Sequence, residues 1–156
     1  CLVLSRQALP TLDRSTYGSA AGLAKGGYVV ADAASGAPEV ILIGTGSEVS
    51  LCVGAYEKLT AEGIAVRVVS LPSWDLFEAQ DQAYRDQVLP PTVLARVSVE
   101  EGSTFGWERY VGMTGAKLGM HGFGASAPGP LVEEHFGFTV DHVIAAARAQ
   151  LRLTLR

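Results

Sequence analysis

The chain has 156 residues, of which 48% are hydrophobic and 18% are charged, and its formal net charge is −4. This composition is typical of one globular domain with a sizeable core. The acidic balance argues against a protein that coats nucleic acid or an anionic membrane. No uninterrupted apolar run approaches the about 20 residues that a membrane-spanning helix needs.

The first residues indicate that the chain is part of a longer protein. It starts with Cys1 rather than an initiator methionine, and no basic stretch precedes an apolar one, which argues against a signal peptide. The apolar run at 2–4 is a candidate buried strand, and we expect residues 1–9 to end a preceding domain. Residues 10–25 are rich in turn-forming residues and lack periodicity, so we predict a linker there.

The first half of the remaining chain predicts alternating strands and helices. Strands are predicted at 28–30, 40–43 and 64–69, and the β-branched run at 40–43 is typical of a strand buried on both faces. Gly63 is placed to end the helix between the second and third strands. One apolar face of that helix is formed by Val49, Cys52, Val53, Tyr56 and Leu59.

The second half repeats this alternation. Its predicted elements are a helix at 75–88, a strand at 93–99, a short helix at 104–111, a short strand at 118–120, a loop at 122–130, a helical turn or two at 131–136, and a last helix capped by Thr139. Strands that alternate with helices predict an α/β protein, a three-layer α/β/α fold with a mostly parallel five-stranded sheet. We expect residues 26–156 to form this domain.

The segment from Gly44 to Glu48 joins a predicted strand to a predicted helix. Such a position offers free backbone N–H groups, so Thr45, Gly46 and Ser47 are a candidate anion site. The segment lacks the remaining residues of a dinucleotide or P-loop fingerprint, and the charge of Glu48 opposes an anion. The alternative is a tight turn with a helix cap, in which Thr45 and Glu48 form a capping box or Ser47 caps instead.

Glu100 and Glu101 follow a predicted buried strand, at the edge where open parallel sheets bind ligands. Adjacent carboxylates on an extended segment point to opposite sides, so they do not form an acid–base pair by themselves. A solvated turn or an interface contact is the alternative.

The remaining chemically active side chains do not form a site in the sequence. The cysteines, Cys1 and Cys52, indicate two reduced thiols in a cytoplasmic protein, and neither has a partner at metal-ligand spacing. We predict no metal site and no catalytic residue in this chain. We assign the histidines to the surface or loops and the tryptophans to packing or an interface; these residues are His121, His135, His142, Trp74 and Trp107.

Several short segments, in order and at maintained spacing, resemble markers of the bacterial-type transketolases. The resemblance runs from Ser5 to about Leu151, and no single segment is specific. The main segments are Ser5-Arg6-Gln7, Gly26-Gly27-Tyr28, Gly44-Thr45-Gly46-Ser47-Glu48-Val49, Leu71-Pro72-Ser73, Tyr110-Val111-Gly112, Phe123-Gly124-Ala125-Ser126-Ala127-Pro128 and Phe136-Gly137-Phe138-Thr139.

The resemblance implies a fold and an activity. Transketolases are homodimeric enzymes of the pentose phosphate pathway that use thiamine diphosphate and Mg²⁺ to move a two-carbon ketol unit from a ketose phosphate to an aldose phosphate. The resemblance implies that this chain covers the end of the middle, pyrimidine-binding domain and the whole carboxyl-terminal domain. Arg6 matches the family arginine that contacts the sugar phosphate.

The family's cofactor and catalytic residues lie upstream of the region that this sequence resembles. We therefore expect this chain to be inactive alone, to bind neither thiamine diphosphate nor Mg²⁺, and to act in packing against the upstream domains and in dimer formation. One alternative is a stand-alone binding or dimerisation module that uses the 45–47 helix terminus. Another is a related thiamine-dependent enzyme, such as a 2-oxo acid dehydrogenase β subunit or a deoxyxylulose-phosphate synthase, which the Ser-Arg-Gln segment fits less well.

Overall fold

The computed structural model describes residues 7–154, which form a five-stranded sheet with helices on both faces. The strands are β1 (Tyr28–Ala31), β2 (Val40–Gly44), β3 (Val66–Ser70), β4 (Arg96–Ser103) and β5 (Ala116–Met120). Their order across the sheet is β1-β3-β2-β4-β5, and only the β1–β3 pair within this described sheet is antiparallel. The predicted mostly parallel sheet is confirmed. The strand predicted at 2–4 lies outside the described residues.

Helices of very different lengths cover the sheet. They are α1 (Val49–Ala61), α2 (Trp74–Glu78), α3 (Gln82–Val88), α4 (Glu108–Val111), α5 (Gly129–Phe136) and α6 (Val140–Thr154). Two short 3₁₀ helices, Ala20–Lys25 and Gly46–Glu48, were not predicted. Across residues 7–154, none of the helices combines the length and the apolar character needed to cross a membrane.

The two faces of the sheet carry separate hydrophobic cores because alternate residues of a strand point to opposite sides. On β2, Val40 and Leu42 belong to the first core, whereas Ile41 and Ile43 belong to the second. Helices α1 and α6 close the first core, and α2, α3 and α4 contribute to the second. Helices on both sides explain why β2 is apolar at every position.

The helix predicted at 75–88 is wrong in one respect, because the chain forms two helices there. The side chain of Ser73 caps α2 by accepting a hydrogen bond from the amide of Leu76, and Asp81 caps α3 by accepting one from Tyr84. Asp81 has extended backbone angles, so it ends the helical geometry between the two segments.

Two predicted helix boundaries are confirmed. Gly63 has a φ of +87°, and the amides of Gly63 and Ile64 bond back to carbonyls of the last turn of α1. This is the hydrogen-bond pattern of a Schellman motif. At the start of α6, the Thr139 hydroxyl accepts a hydrogen bond from the amide of His142 at 3.2 Å.

The segment before the sheet has a defined path along the domain. Leu12 and Tyr17 pack against the first core, and Ser19 caps the 3₁₀ helix Ala20–Lys25 by accepting a hydrogen bond from Ala21. The assignment of residues 10–25 as a linker between domains stays a prediction.

Candidate functional site

The carboxyl-terminal edge of the parallel strands brings together the segments that the sequence singled out. Arg6 lies outside the described residues, so its predicted role stays a prediction. The chain that follows it, Gln7–Pro10, lines a recess of about 170 Å³ at this edge. The opposite side of the recess includes Ser47, Glu48, Glu101 and Glu133.

The predicted helix cap at this edge is wrong. Thr45 makes no side-chain capping bond, and α1 starts only at Val49. Gly46, with a φ of +53°, instead leads the chain into a 3₁₀ turn ahead of the helix. This turn moves the helix start past the position that a capping box at Thr45 and Glu48 requires. The Ser47 hydroxyl also does not cap the helix, since it donates to the Glu48 carboxylate at 3.3 Å.

Glu48 is a buried carboxylate, with 6% of its surface exposed. It accepts a hydrogen bond from the backbone amide of Glu101 at 3.3 Å, which ties the start of α1 to strand β4. Burial raises the pKa of Glu48, and the nearby charge of Glu100 adds to this effect. Anion binding by Thr45, Gly46 and Ser47 stays a prediction, and it would have to occur next to this acidic group.

The replacement Glu48→Gln is expected to stabilise the protein at neutral pH but not in acid. Because the folded pKa of Glu48 lies above its ordinary value of 4.5, the folded chain keeps a proton that the unfolded chain has already lost. This contribution to stability is present below pH 4.5 and is lost as the pH rises through the raised folded pKa. The difference in free energy of unfolding between variant and wild type should therefore grow from pH 4.5 to about pH 7.

Urea denaturation at several pH values measures this difference. Glu134→Gln, at an exposed position on α5, is the matched control and should give no comparable growth. If the difference in free energy of unfolding between Glu48→Gln and wild type stayed constant across this pH range, burial would not raise the pKa of Glu48 as we argue.

Glu100 and Glu101 lie within β4, which extends through Ser103 and so runs further than the strand predicted at 93–99. Their carboxylates have separate surroundings. Glu100 accepts a hydrogen bond from the indole N–H of Trp107 at 2.7 Å. Partial burial raises the pKa of Glu101, with further contributions from the charges of Glu48 and Glu133. The two neighbours therefore do not act as one acid–base pair in this structure.

A larger open cavity of about 450 Å³ lies beside the same edge. Its walls are mainly apolar, with two carboxylates among them. The residues that line it include Glu101, Met120, Phe123, Val132, Glu133 and Phe136. The volume is within the range of small-molecule sites. The side chains that line the cavity are apolar or carry a carboxylate.

The histidines are exposed and separate, as the sequence predicted. His142 makes a ring-nitrogen contact of 2.8 Å with the carbonyl oxygen of Gly137. In the part of the chain covered by residues 7–154, no three or more His, Cys, Asp or Glu side chains are grouped so that they could hold a metal ion. Cys52 is buried in the first core, and burial raises the pKa of its thiol.

The tryptophans pack in the second core, as predicted. Trp107 is buried, and its ring lies edge-on to Trp74 with centroids 5.2 Å apart. Tyr110 completes the cluster at 5.1 Å from Trp74. The position of these rings inside the domain is consistent with a structural role.

Two arginines, the buried Arg67 and the partly buried Arg96, were not singled out from the sequence. Arg67 makes a two-pronged ion pair with Asp32, at 2.8 and 2.7 Å. Arg96 donates to four backbone carbonyls, including that of Tyr110 at 2.6 Å, and burial lowers its pKa. The sequence did contain one signal for these residues, namely an arginine within a predicted apolar strand. That signal does not identify the carboxylate or the carbonyls to which the arginine binds.

Comparisons with known proteins agree with this architecture. A family model described as "Transketolase-like TK C-terminal domain" matches residues 26–139. Transketolase 1 of Escherichia coli K12 is 57% identical over 150 residues, which make up 96% of this chain and 22% of that protein. The chain thus spans about a fifth of the length of the curated relatives that it matches.

Solved structures show the same fold. The transketolase from Leishmania mexicana superposes with a TM-score of 0.80 and 42% identity, over 88% of this chain and 20% of that one. The Pichia stipitis transketolase in complex with sedoheptulose-7-phosphate superposes with a TM-score of 0.82 and 37% identity, over 95% and 21%. The sheet, its helices and the matched segments together show that this chain belongs to the transketolase-like C-terminal domain family.

Proposed function

We propose that this chain is the carboxyl-terminal part of a transketolase, which transfers a two-carbon ketol unit from a ketose phosphate to an aldose phosphate. The observation that carries the proposal is the 57% identity to a transketolase along 96% of the chain. The Pichia stipitis structure with sedoheptulose-7-phosphate supports a phosphorylated ketose as the substrate class.

The proposed roles are divided between this domain and the upstream domains. Thiamine diphosphate supplies the stabilised carbanion chemistry of the reaction when it is bound. The family resemblance implies that the residues holding Mg²⁺ and the cofactor diphosphate lie upstream of this chain. We therefore place both in the upstream domains and assign no step through them to this chain. The proposed homodimer and cytoplasmic location follow from the same family resemblance.

Arg6 is the residue of this chain that we propose to contact substrate. A guanidinium presents a planar pair of donors that suits a phosphate group. Binding energy from a substrate phosphate can be used to orient the reacting carbons, although the phosphate itself does not react. Arg6 therefore acts as a remote binding group and not as an acid or base.

The proposal predicts a selective defect for Arg6→Ala in the full-length enzyme. The KM for a phosphorylated ketose should rise by about tenfold to a hundredfold, because a charge-assisted hydrogen bond is lost. The KM for an unphosphorylated ketose should stay unchanged. Steady-state assays with thiamine diphosphate and Mg²⁺ measure both values.

Arg152→Ala, at an exposed arginine on α6, is the matched control and should leave both KM values unchanged. An equal change for both substrates in Arg6→Ala would contradict the assignment. Absence of ketol transfer by the full-length wild-type protein would contradict the proposed function itself.

A further inference from the structure

A cavity of about 250 Å³ is lined by residues of α2, α3 and α4 and by the first residue of β4. Phe77 and Tyr110 contribute aromatic surface to its wall. Most of the other residues of the wall are charged, and three of them are arginines from three different elements. The charged residues are Glu78, Arg85, Asp86, Arg96 and Arg109.

Arg85, on α3, is the arginine of this cavity whose charge is balanced by a neighbour. Its Nη1 atom donates to the Glu78 carboxylate at 2.8 Å, and its Nη2 atom donates to the side-chain oxygen of Gln82 at 2.8 Å. Its Nε atom is buried and, alone among the buried side-chain nitrogen and oxygen atoms of residues 7–154, has no hydrogen-bond partner. The hydrogen bonds of this guanidinium are therefore incomplete, although its charge is paired.

Arg96 and Arg109 bring positive charge that no carboxylate balances in the described part of the chain. The hydrogen-bond acceptors of Arg96 are backbone carbonyls, which contribute dipoles but no negative charge. Arg109 lies close enough to the Tyr110 hydroxyl to oppose the rise in the pKa of that phenol that burial and Glu78 cause. Neither arginine forms an ion pair with a carboxylate of residues 7–154.

The two carboxylates of the cavity do not cancel these charges. Glu78 pairs with Arg85 and also accepts a hydrogen bond from the Tyr110 hydroxyl at 3.0 Å. Asp86 accepts a hydrogen bond from the side-chain amide of Gln82 at 2.7 Å and pairs with no arginine of residues 7–154. Three guanidinium groups and two carboxylates leave an excess of one positive charge, in a chain whose formal net charge is −4. Such an excess in a concave site favours an anion.

We propose that this cavity binds the phosphate group of a small phosphorylated compound. A guanidinium presents parallel N–H donors that match phosphate oxygens, and Arg109 is exposed and can turn toward a ligand. The volume lies below the range of about 300–1,000 Å³ for drug-sized ligands, so it suits inorganic phosphate or a short phosphate ester. The site is formed by residues between 77 and 110, and it does not depend on the proposed ketol transfer.

The test is protection of Arg109 from phenylglyoxal, a reagent that modifies accessible guanidinium groups. The full-length protein is loaded with thiamine diphosphate and Mg²⁺, and labelling is mapped by mass spectrometry of its peptides. Inorganic phosphate is the probe, and sodium chloride keeps the ionic strength constant. The labelling rate of Arg109 should fall by about fivefold or more once phosphate exceeds its Kd several times, because only the free site reacts.

Two comparisons separate a phosphate site from general screening by salt. Arg152 is exposed on α6 and lies outside the cavity, so its labelling rate should not change with phosphate. Malonate, a small dicarboxylate, should protect Arg109 less than phosphate does at the same ionic strength, because its charge is divided between two separate groups.

Asp86→Asn tests whether the charges that line the cavity control binding. The substitution removes one negative charge from the wall and keeps an oxygen that can accept from Gln82. It should lower the phosphate concentration for half-maximal protection by about threefold to tenfold, because one repulsive charge at short range is lost. Asp75→Asn, at an exposed position on α2 outside the cavity wall, is the matched control and should lower it by less than about twofold.

Each measurement has an outcome that overturns the inference. If labelling of Arg109 were no more sensitive to phosphate than labelling of Arg152, the cavity would not bind phosphate. Equal protection by malonate would show a general attraction of anions and not a phosphate site. An Asp86→Asn effect no larger than that of Asp75→Asn would place the bound phosphate outside the cavity. The wild-type measurement needs no variant, so a folding defect cannot obscure it.

Discussion

Trp107→Ala is expected to lower the free energy of unfolding by about 3–5 kcal/mol, the range for removing a large aromatic side chain from a core. The Trp107 residue is 2% exposed, and its ring packs edge-on against Trp74 and Tyr110. The substitution also removes the hydrogen-bond donor of Glu100, whose carboxylate lies 2.7 Å from the indole nitrogen. Urea denaturation followed by circular dichroism measures the change.

A neighbouring aromatic residue provides the control. Phe105 lies two positions before Trp107 and is 86% exposed, so Phe105→Ala should change the free energy of unfolding by less than about 0.5 kcal/mol. Trp107→Phe should fall between the two, because it keeps much of the packing and loses the hydrogen bond. A loss below about 1 kcal/mol for Trp107→Ala would show that the second core does not depend on this ring.

Asp32→Ala is expected to destabilise the protein by about 3 kcal/mol, because it leaves a buried guanidinium without its carboxylate. The side chain of Arg67 is 7% exposed, whereas that of Asp32 is 37% exposed, so the loss should lie at the low end for a buried pair. Backbone carbonyls of Gln87 and Val88 still accept from Arg67 and retain part of its solvation.

The double variant Asp32→Ala with Arg67→Met should be less destabilised than Asp32→Ala alone, since it removes the unpaired charge. Lys58→Met is the control for an exposed ion pair. Lys58 and Asp141 lie 2.9 Å apart, with side chains 56% and 85% exposed, and losing this pair should cost at most about 1 kcal/mol. Equal losses for Asp32→Ala and Lys58→Met would contradict the importance of burial.

The family was predictable from the sequence because its signal is distributed. Short segments recur in order along almost the whole chain, and the family model and the E. coli relative confirm that prediction. The role of Arg6 was predicted by the same resemblance. It remains a prediction, and the tests above address it through substrate selectivity and not through the fold.

Local patterns also determined much of the architecture. The continuous apolar run of β2 predicts a strand covered on both faces, and its alternate residues do enter two cores. Gly63 and Thr139 predict helix boundaries, because the preferences involved depend on a few neighbouring residues. The same local reasoning failed at Thr45, where the 3₁₀ turn moved the helix start, and at Asp81, whose capping signal lay inside a helical pattern.

The chemistry of individual side chains was decided only by the tertiary structure. Asp32 is 35 positions from its ion-pair partner Arg67. Glu48 is 53 positions from Glu101, whose backbone amide donates a hydrogen bond to the Glu48 carboxylate. The hydrogen bond from the Tyr17 hydroxyl to Glu57 on α1 spans a similar separation. No periodicity or short motif encodes such pairs, because they form only when the order of strands places distant segments side by side. The sequence by itself therefore determined the family, the layers and most elements, whereas burial and long-range contact decided which charges are paired and which segment is held in place.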